Sequence, residues 1–169
     1  MNMVRRLMSQ YWRKRYIKKV RATALKCGTD LFVGGYTQVN SNTVLGNRVS
    51  FNGMTILGNG KVTIGNNFHS GQGCYIITDN HDYDHGDSIP YDSKRSIPEE
   101  TVIEDNVWLG VGVIVLPGAH IGEGAIIQAG SVVAGNIEPF AIAGGHPARK
   151  FKERDVEHYN QLKKEGKVF

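Results

Sequence analysis

The chain has 169 residues, a net charge of +4, 40% hydrophobic residues and 21 glycines, which suits one folded unit with many tight turns rather than a disordered chain. No apolar run approaches the ~18 residues that span a bilayer, the charged first segment is unlike a secretory signal peptide, and two cysteines make no disulfide framework; a cytoplasmic location is the expectation. Nine of the 20 Lys and Arg fall within residues 1–26 with no acidic residue among them, which leaves the rest of the chain at net −5.

In chain order, residues 1–26 carry Arg5, Arg6, Arg13, Lys14, Arg15, Lys18, Lys19, Arg21 and Lys26. Val4, Leu7, Met8, Tyr11, Trp12, Tyr16 and Val20 recur among them at three- and four-residue steps, which predicts a basic amphipathic helical arm. Two readings stay open. A basic helix with Trp and Tyr at its margin suits peripheral contact with an anionic membrane, at the inner face. A helix that caps an open end of the body, its charges solvated, suits a repeat fold as well. Nucleic acid is not expected as a partner, because the body is acidic and carries no recognition motif.

From residue 27 a six-residue period takes over. Val33, Val39, Leu45 and Phe51 are six apart, with Thr37, Thr43, Val49 and Thr55 at a second, smaller position. Ile103, Leu109, Val115, Ile121, Ile127 and Val133 repeat it, with Val107, Val113, Ala119, Ala125, Ser131 and Ile137. Neither a helix nor a two-faced strand yields a strict six. Short strands joined by tight turns do, so the fold class is all-β: a solenoid of stacked coils whose aliphatic residues point to the axis. The spacing predicts a one-residue slip near residues 57–60, where Gly-Asn-Gly absorbs it in a turn. The period resumes at Ile64, Ser70 and Ile76, with Phe68 and Cys74 inward.

Residues 82–101 are polar, hold two prolines and lose the phase. They read as a loop thrown outward, and such a loop on a regular scaffold favours function. His81 stands just before it and, five residues after inward Ile76, points outward. His85 lies inside it, and Asp79, Asp82 and Asp84 surround both. Histidine titrates near neutrality and suits general-base work. Spacing leaves open whether His81 or His85 serves, and whether Asp79 or Asp82 orients the imidazole. His69, His120, His146 and His158 read as surface residues. Trp108 shares the outward phase and calls for a partner, either a ligand cleft or a subunit interface. Residues 153–169 predict a charged helical tail.

The run VIEDNVWLGVGVIVLPGAHIGEGAIIQAGSVV (residues 102–133), followed by AGGHPARKF (143–151), resembles the hexapeptide-repeat acyltransferases, in their sugar and polysaccharide O-acetyltransferase branch. The resemblance covers residues 33–152. It implies a left-handed parallel β-helix over residues 27–152, against the general right-handed preference for crossovers. It also implies acetyl-CoA as co-substrate, no metal, and a homotrimer with its sites between neighbours. His81, in the segment TDNHDYDHG (78–86), is then the general base for direct acetyl transfer to a hydroxyl. Trp108 would flank the CoA cleft, Val111 and Ala129 the pantetheine path, and Ala134 and Gly135 a place where many relatives carry Thr-Lys. Arg149 and Lys152 offer positive charge for the CoA phosphates. Asn52 or Gly53 falls near the acceptor-binding position, and the acceptor implied is a sugar or lipid-linked glycan.

Competing functions use the same residues. Acetylation of an antibiotic or of a serine-type amino acid needs the same base. A γ-type carbonic anhydrase would take zinc on three histidines, for which His81, His85 and His120 are the candidates. A scaffold that only assembles other proteins would need none of them.

Overall fold

The computed structural model describes residues 3–168. From Lys26 to Gly145 short parallel strands wind around three faces as a left-handed parallel β-helix. One face has seven strands, with Ser50–Phe51, His69–Ser70, Trp108–Leu109 and Ile126–Ile127 at its centre. The chain passes from it to a four-stranded face (Met54–Leu57, Cys74–Ile77, Ile114–Val115, Val132–Val133). It then reaches a five-stranded face that includes Val62–Ile64, Thr101–Ile103 and His120–Ile121.

Most strands are two or three residues long because each needs only one inward side chain to hold it. Ile103, Leu109, Val115, Ile121, Ile127 and Val133 are all buried on the axis, as are Val107, Val113, Ala119, Ala125, Ser131 and Ile137. Burial of each large aliphatic group is worth about 1.5–3 kcal/mol, and successive coils share the backbone ladder: Gly110 N–H donates to the Ile127 carbonyl at 2.8 Å. Every level turns the corner between the five- and seven-stranded faces on a left-handed residue. Asp30, Arg48, Asn67 and Asn106 do so at φ of 54° to 60°, and three of these four are Asn or Asp, which tolerate that region best.

The phase slip differs from the expectation. Thr55 is not inward; Met54 and Ile56 are buried on either side of it. The coil contracts by one residue after Phe51, at Gly53 with φ +128°, and regains two across residues 57–60 before Ile64. The net shift is the single residue expected, but it is made of two opposite adjustments, and a period count sees only their difference.

The expected outward loop is also more ordered than a loop. Asp79–Asp82 and Asp92–Pro98 pair as an antiparallel hairpin, with His81 opposite Ser96 and Asp82 opposite Asp92. Thr101 is already back in the stack, paired with Val62. Polar composition hid these strands because neither belongs to the coil period.

Two helices close the chain. Helix α1 spans Met3–Thr23, and the arm stops there: Lys26, counted with it by sequence, pairs with Val44 in the five-stranded face. Its apolar residues do not share one buried stripe. Val20 is buried and Tyr16 and Ile17 pack on the core, whereas Leu7, Met8, Tyr11 and Trp12 are exposed. Strand Ala148–Glu153 folds back on Ala141–Gly145, and helix α2 (Val156–Lys164) follows, its first turn capped by Asp155 accepting from the His158 N–H at 2.9 Å. Of the expected arm, residues 1 and 2, and of the tail, residue 169, lie outside the described residues.

Candidate active site

His81 leaves the four-stranded face on the outgoing limb of the hairpin. Its exposed imidazole lies against the ring of Tyr91 with centroids 4.0 Å apart and planes 12° from parallel. The hairpin owes its shape to two buried carboxylates that pair at the far end of its ladder, where residues 83–91 loop out. Asp82, 3% exposed, accepts from the His85 N–H at 2.8 Å and faces Arg95 Nε at 3.4 Å. Asp92 accepts from the Lys94 N–H at 2.9 Å. These bonds turn the returning limb so that Tyr91 meets His81.

The carboxylates expected to orient His81 are engaged elsewhere. Asp79 accepts from Ser96 Oγ at 2.8 Å, and Asp82 is held as described. Neither bonds the His81 ring, so the described contact that fixes its plane is Tyr91. The rival, His85, stands on the hairpin with its side chain 83% exposed and its Nδ1 3.8 Å from Asp82.

Four of the expected binding residues share one corner of the prism. The turns between the seven- and four-stranded faces stack Asn52–Gly53, Gly71, Gly110–Val111 and Ala129 in a column. Gly130 N–H donates to the Val111 carbonyl at 2.8 Å, and a Cβ on Gly110 would meet the Ala129 nitrogen at 2.5 Å. The coils can therefore stack this closely only with glycine at that level. Asn52 Nδ2 donates to the Ser70 carbonyl at 3.0 Å and lies 3.4 Å from His69 Nε2. Ala134 and Gly135 follow Val133 at the opposite edge of the four-stranded face, on the side from which the hairpin leaves. Arg149 and Lys152 are exposed on the returning strand at the last coil.

Trp108 is half exposed and stands on the seven-stranded face between His69 and Ile126 on the neighbouring strands. It is one wall of a cleft of about 380 Å³ whose other wall is α2, with His69, Asn106, Tyr159, Leu162 and Lys163 among the lining. His69, expected as a surface residue, is half-buried between Asn52 and Trp108. Its position directly opposite Trp108 on the neighbouring strand is invisible without the stacking register. Helix α2 is clasped to the wall by Glu123, which accepts from Tyr159 Oη at 2.8 Å and pairs with Lys163. Tyr159 also accepts from Asn106 Nδ2 at 2.8 Å. Burial, then the neighbouring Glu123 carboxylate, pushes the Tyr159 hydroxyl well above its usual range.

Within one chain the structure brings Asn52, His69, Trp108, Val111 and Ala129 to one side of the prism and leaves His81 beyond the far edge of the four-stranded face. His120 stands apart from both, on the five-stranded face with Nε2 2.7 Å from Glu104. Among the described residues no three His, Cys, Asp or Glu side chains are grouped as metal ligands. Cys74 is buried, its Sγ 3.2 Å from the Gly110 carbonyl, and burial raises its thiol pKa, so it is not placed as an activated nucleophile.

A family model described as bacterial transferase hexapeptide (six repeats) matches residues 100–135. The chain is 37% identical over 109 residues to a chloramphenicol acetyltransferase of Klebsiella aerogenes, covering 56% of this chain and 52% of that protein. A hexapeptide-repeat acetyltransferase of Vibrio cholerae superposes with a TM-score of 0.69 at 26% identity, covering 83% of this chain and 79% of that one. A galactoside acetyltransferase solved in complex with coenzyme A superposes with a TM-score of 0.68 at 27% identity, over 82% and 70%. The chain belongs to the hexapeptide-repeat acyltransferase family. It spans about half the length of the curated relatives it matches.

Proposed function

We propose that this protein is an acetyl-CoA-dependent O-acetyltransferase that acts on a hydroxyl of a sugar or glycan precursor at the inner membrane face, with His81 as general base. The observation that carries the reading is the stacked, exposed His81 at the edge of a β-helix whose galactoside acetyltransferase neighbour holds coenzyme A. The imidazole accepts the hydroxyl proton as the oxygen attacks the thioester carbonyl carbon. The C–S bond then breaks, and the proton passes from His81 to the departing thiolate, so no covalent enzyme intermediate is needed.

One chain holds the Trp108 side and the His81 side on different faces, which supports a homotrimer in which His81 of one copy faces the Trp108 corner of its neighbour. Val111 and Ala129 would then line the pantetheine arm, Ala134 and Gly135 would stand where many relatives carry Thr-Lys and offer no basic side chain to the CoA phosphates, and Arg149 and Lys152 would meet those phosphates. Asn52 or Gly53 would stand on the acceptor side. The chloramphenicol acetyltransferase relative favours a second reading in which the acceptor is an antibiotic hydroxyl.

Replacement His81→Ala tests the base. Thiol release from acetyl-CoA should fall by ~10²-fold or more while CoA binding and oligomer size stay unchanged. Near-normal turnover would move the role to His85. A panel of sugar and chloramphenicol-type acceptors in the same assay separates the two acceptor readings.

A further inference from the structure

Helix α1 has two sectors with different surroundings. At about 100° per residue, Leu7, Met8, Tyr11 and Trp12 fall in one sector of roughly 140°, and all four are exposed. Arg15, Lys18 and Lys19 fall in the same sector one to two turns nearer the body, with Arg5 and Lys14 at its borders. The opposite sector holds Tyr16, Ile17 and Val20, which pack on the first coils. The choice between a cap and a surface element therefore resolves by sector: one side of α1 caps the stack and the other side is left for a partner.

The order of side chains along the open sector identifies that partner. Farthest from the body come the aliphatic Leu7 and Met8. Then comes an aromatic belt, with Tyr11 and Trp12 edge to face at 5.6 Å and Trp12 stacked on Tyr16 at 5.9 Å. Last come the cations, with Arg15 over the Trp12 ring at 5.6 Å and Lys19 over Tyr36 at 5.5 Å. Aliphatic, aromatic and cationic groups in that sequence match acyl chain, interface and headgroup phosphate in a leaflet. Among the described residues no helix is long and apolar enough to cross a membrane, so the contact is with the surface. A second α1 would bring two helices without an acidic residue against each other, whereas anionic lipid complements their charge.

We propose that the Leu7–Met8–Tyr11–Trp12 sector of α1, with Arg15, Lys18 and Lys19 behind it, docks the protein on an anionic lipid surface. This deepens the place of action proposed above and rests on that reading for its purpose, but its test does not depend on acetyl transfer. The full chain is sedimented with vesicles of phosphatidylcholine alone and with ~30% phosphatidylglycerol added. Binding to the anionic vesicles should be at least ~10-fold tighter and should weaken as salt is raised. In a Trp108→Phe background, Trp12 emission should shift to the blue on binding. The combined variant Leu7→Ser, Met8→Ser, Tyr11→Ser and Trp12→Ser should lose vesicle binding yet keep its oligomer size and its transfer to a water-soluble acceptor. Equal binding to both vesicles, or to neither, overturns the proposal. So does a drop in oligomer size in the serine variant, which would assign the sector to a second copy of the chain.

Discussion

His81 and Tyr91 lie face to face with ring centroids 4.0 Å apart, and they come from opposite limbs of one hairpin. A parallel stack restricts rotation of the imidazole about its outer bonds and leaves both ring nitrogens free at the ring edge. In the proposed mechanism the tyrosine, rather than a carboxylate, positions the His81 ring. Tyr91→Ala should lower kcat for acetyl transfer by ~10- to 10²-fold with the KM for acetyl-CoA unchanged, and Tyr91→Phe should restore most of it. Equal losses in both variants would assign the effect to the hydroxyl instead of the stack.

The hairpin that presents this pair hangs on Asp82, which is nearly inaccessible yet bonded to His85 and Arg95. Asp82→Ala should free the limb locally rather than unfold the stack. Hydrogen exchange across residues 83–95 should quicken while the exchange of Leu109 and Ile127 stays slow.

The axis should respond in the opposite way. Leu109 is fully buried between Ser70 and Ile127 on the neighbouring coils. Leu109→Ala should destabilise the whole domain by about 2–5 kcal/mol in denaturant unfolding. A change confined to one coil would contradict cooperative stacking.

Acid should loosen α2 from the Trp108 cleft. Burial pushes the Glu123 carboxyl up, but bonds from Lys163, Tyr159 and Asn106 together outweigh it and hold it below its usual range. A group depressed in the folded state adds stability above its unfolded pKa, and that stability is lost as pH falls through the folded value. In a Trp12→Phe background, Trp108 emission should change as pH drops below the ordinary carboxylate range. Glu123→Gln should flatten that change.

The period of six named the inward residues from Ile103 to Ile137 correctly because each strand is short enough for local spacing to set its face. It failed at Thr55, where a contraction at Gly53 and an expansion at residues 57–60 cancel to one residue. The outward placement of His81 was legible because the residue stands where the period stops. Tyr91 was not, since its partner depends on how Asp82 and Asp92 fold the hairpin. His69 was not, since its neighbours Asn52 and Trp108 lie 17 and 39 residues away and meet it only through stacked coils.

By itself, the sequence determined the solenoid, its axis and the break that exposes a histidine, because these follow from side-chain spacing along one strand. The tertiary structure decided which groups meet. Contacts across coils, across the hairpin and against α1 and α2 depend on stacking register, and one residue of slip moves a side chain to the other face.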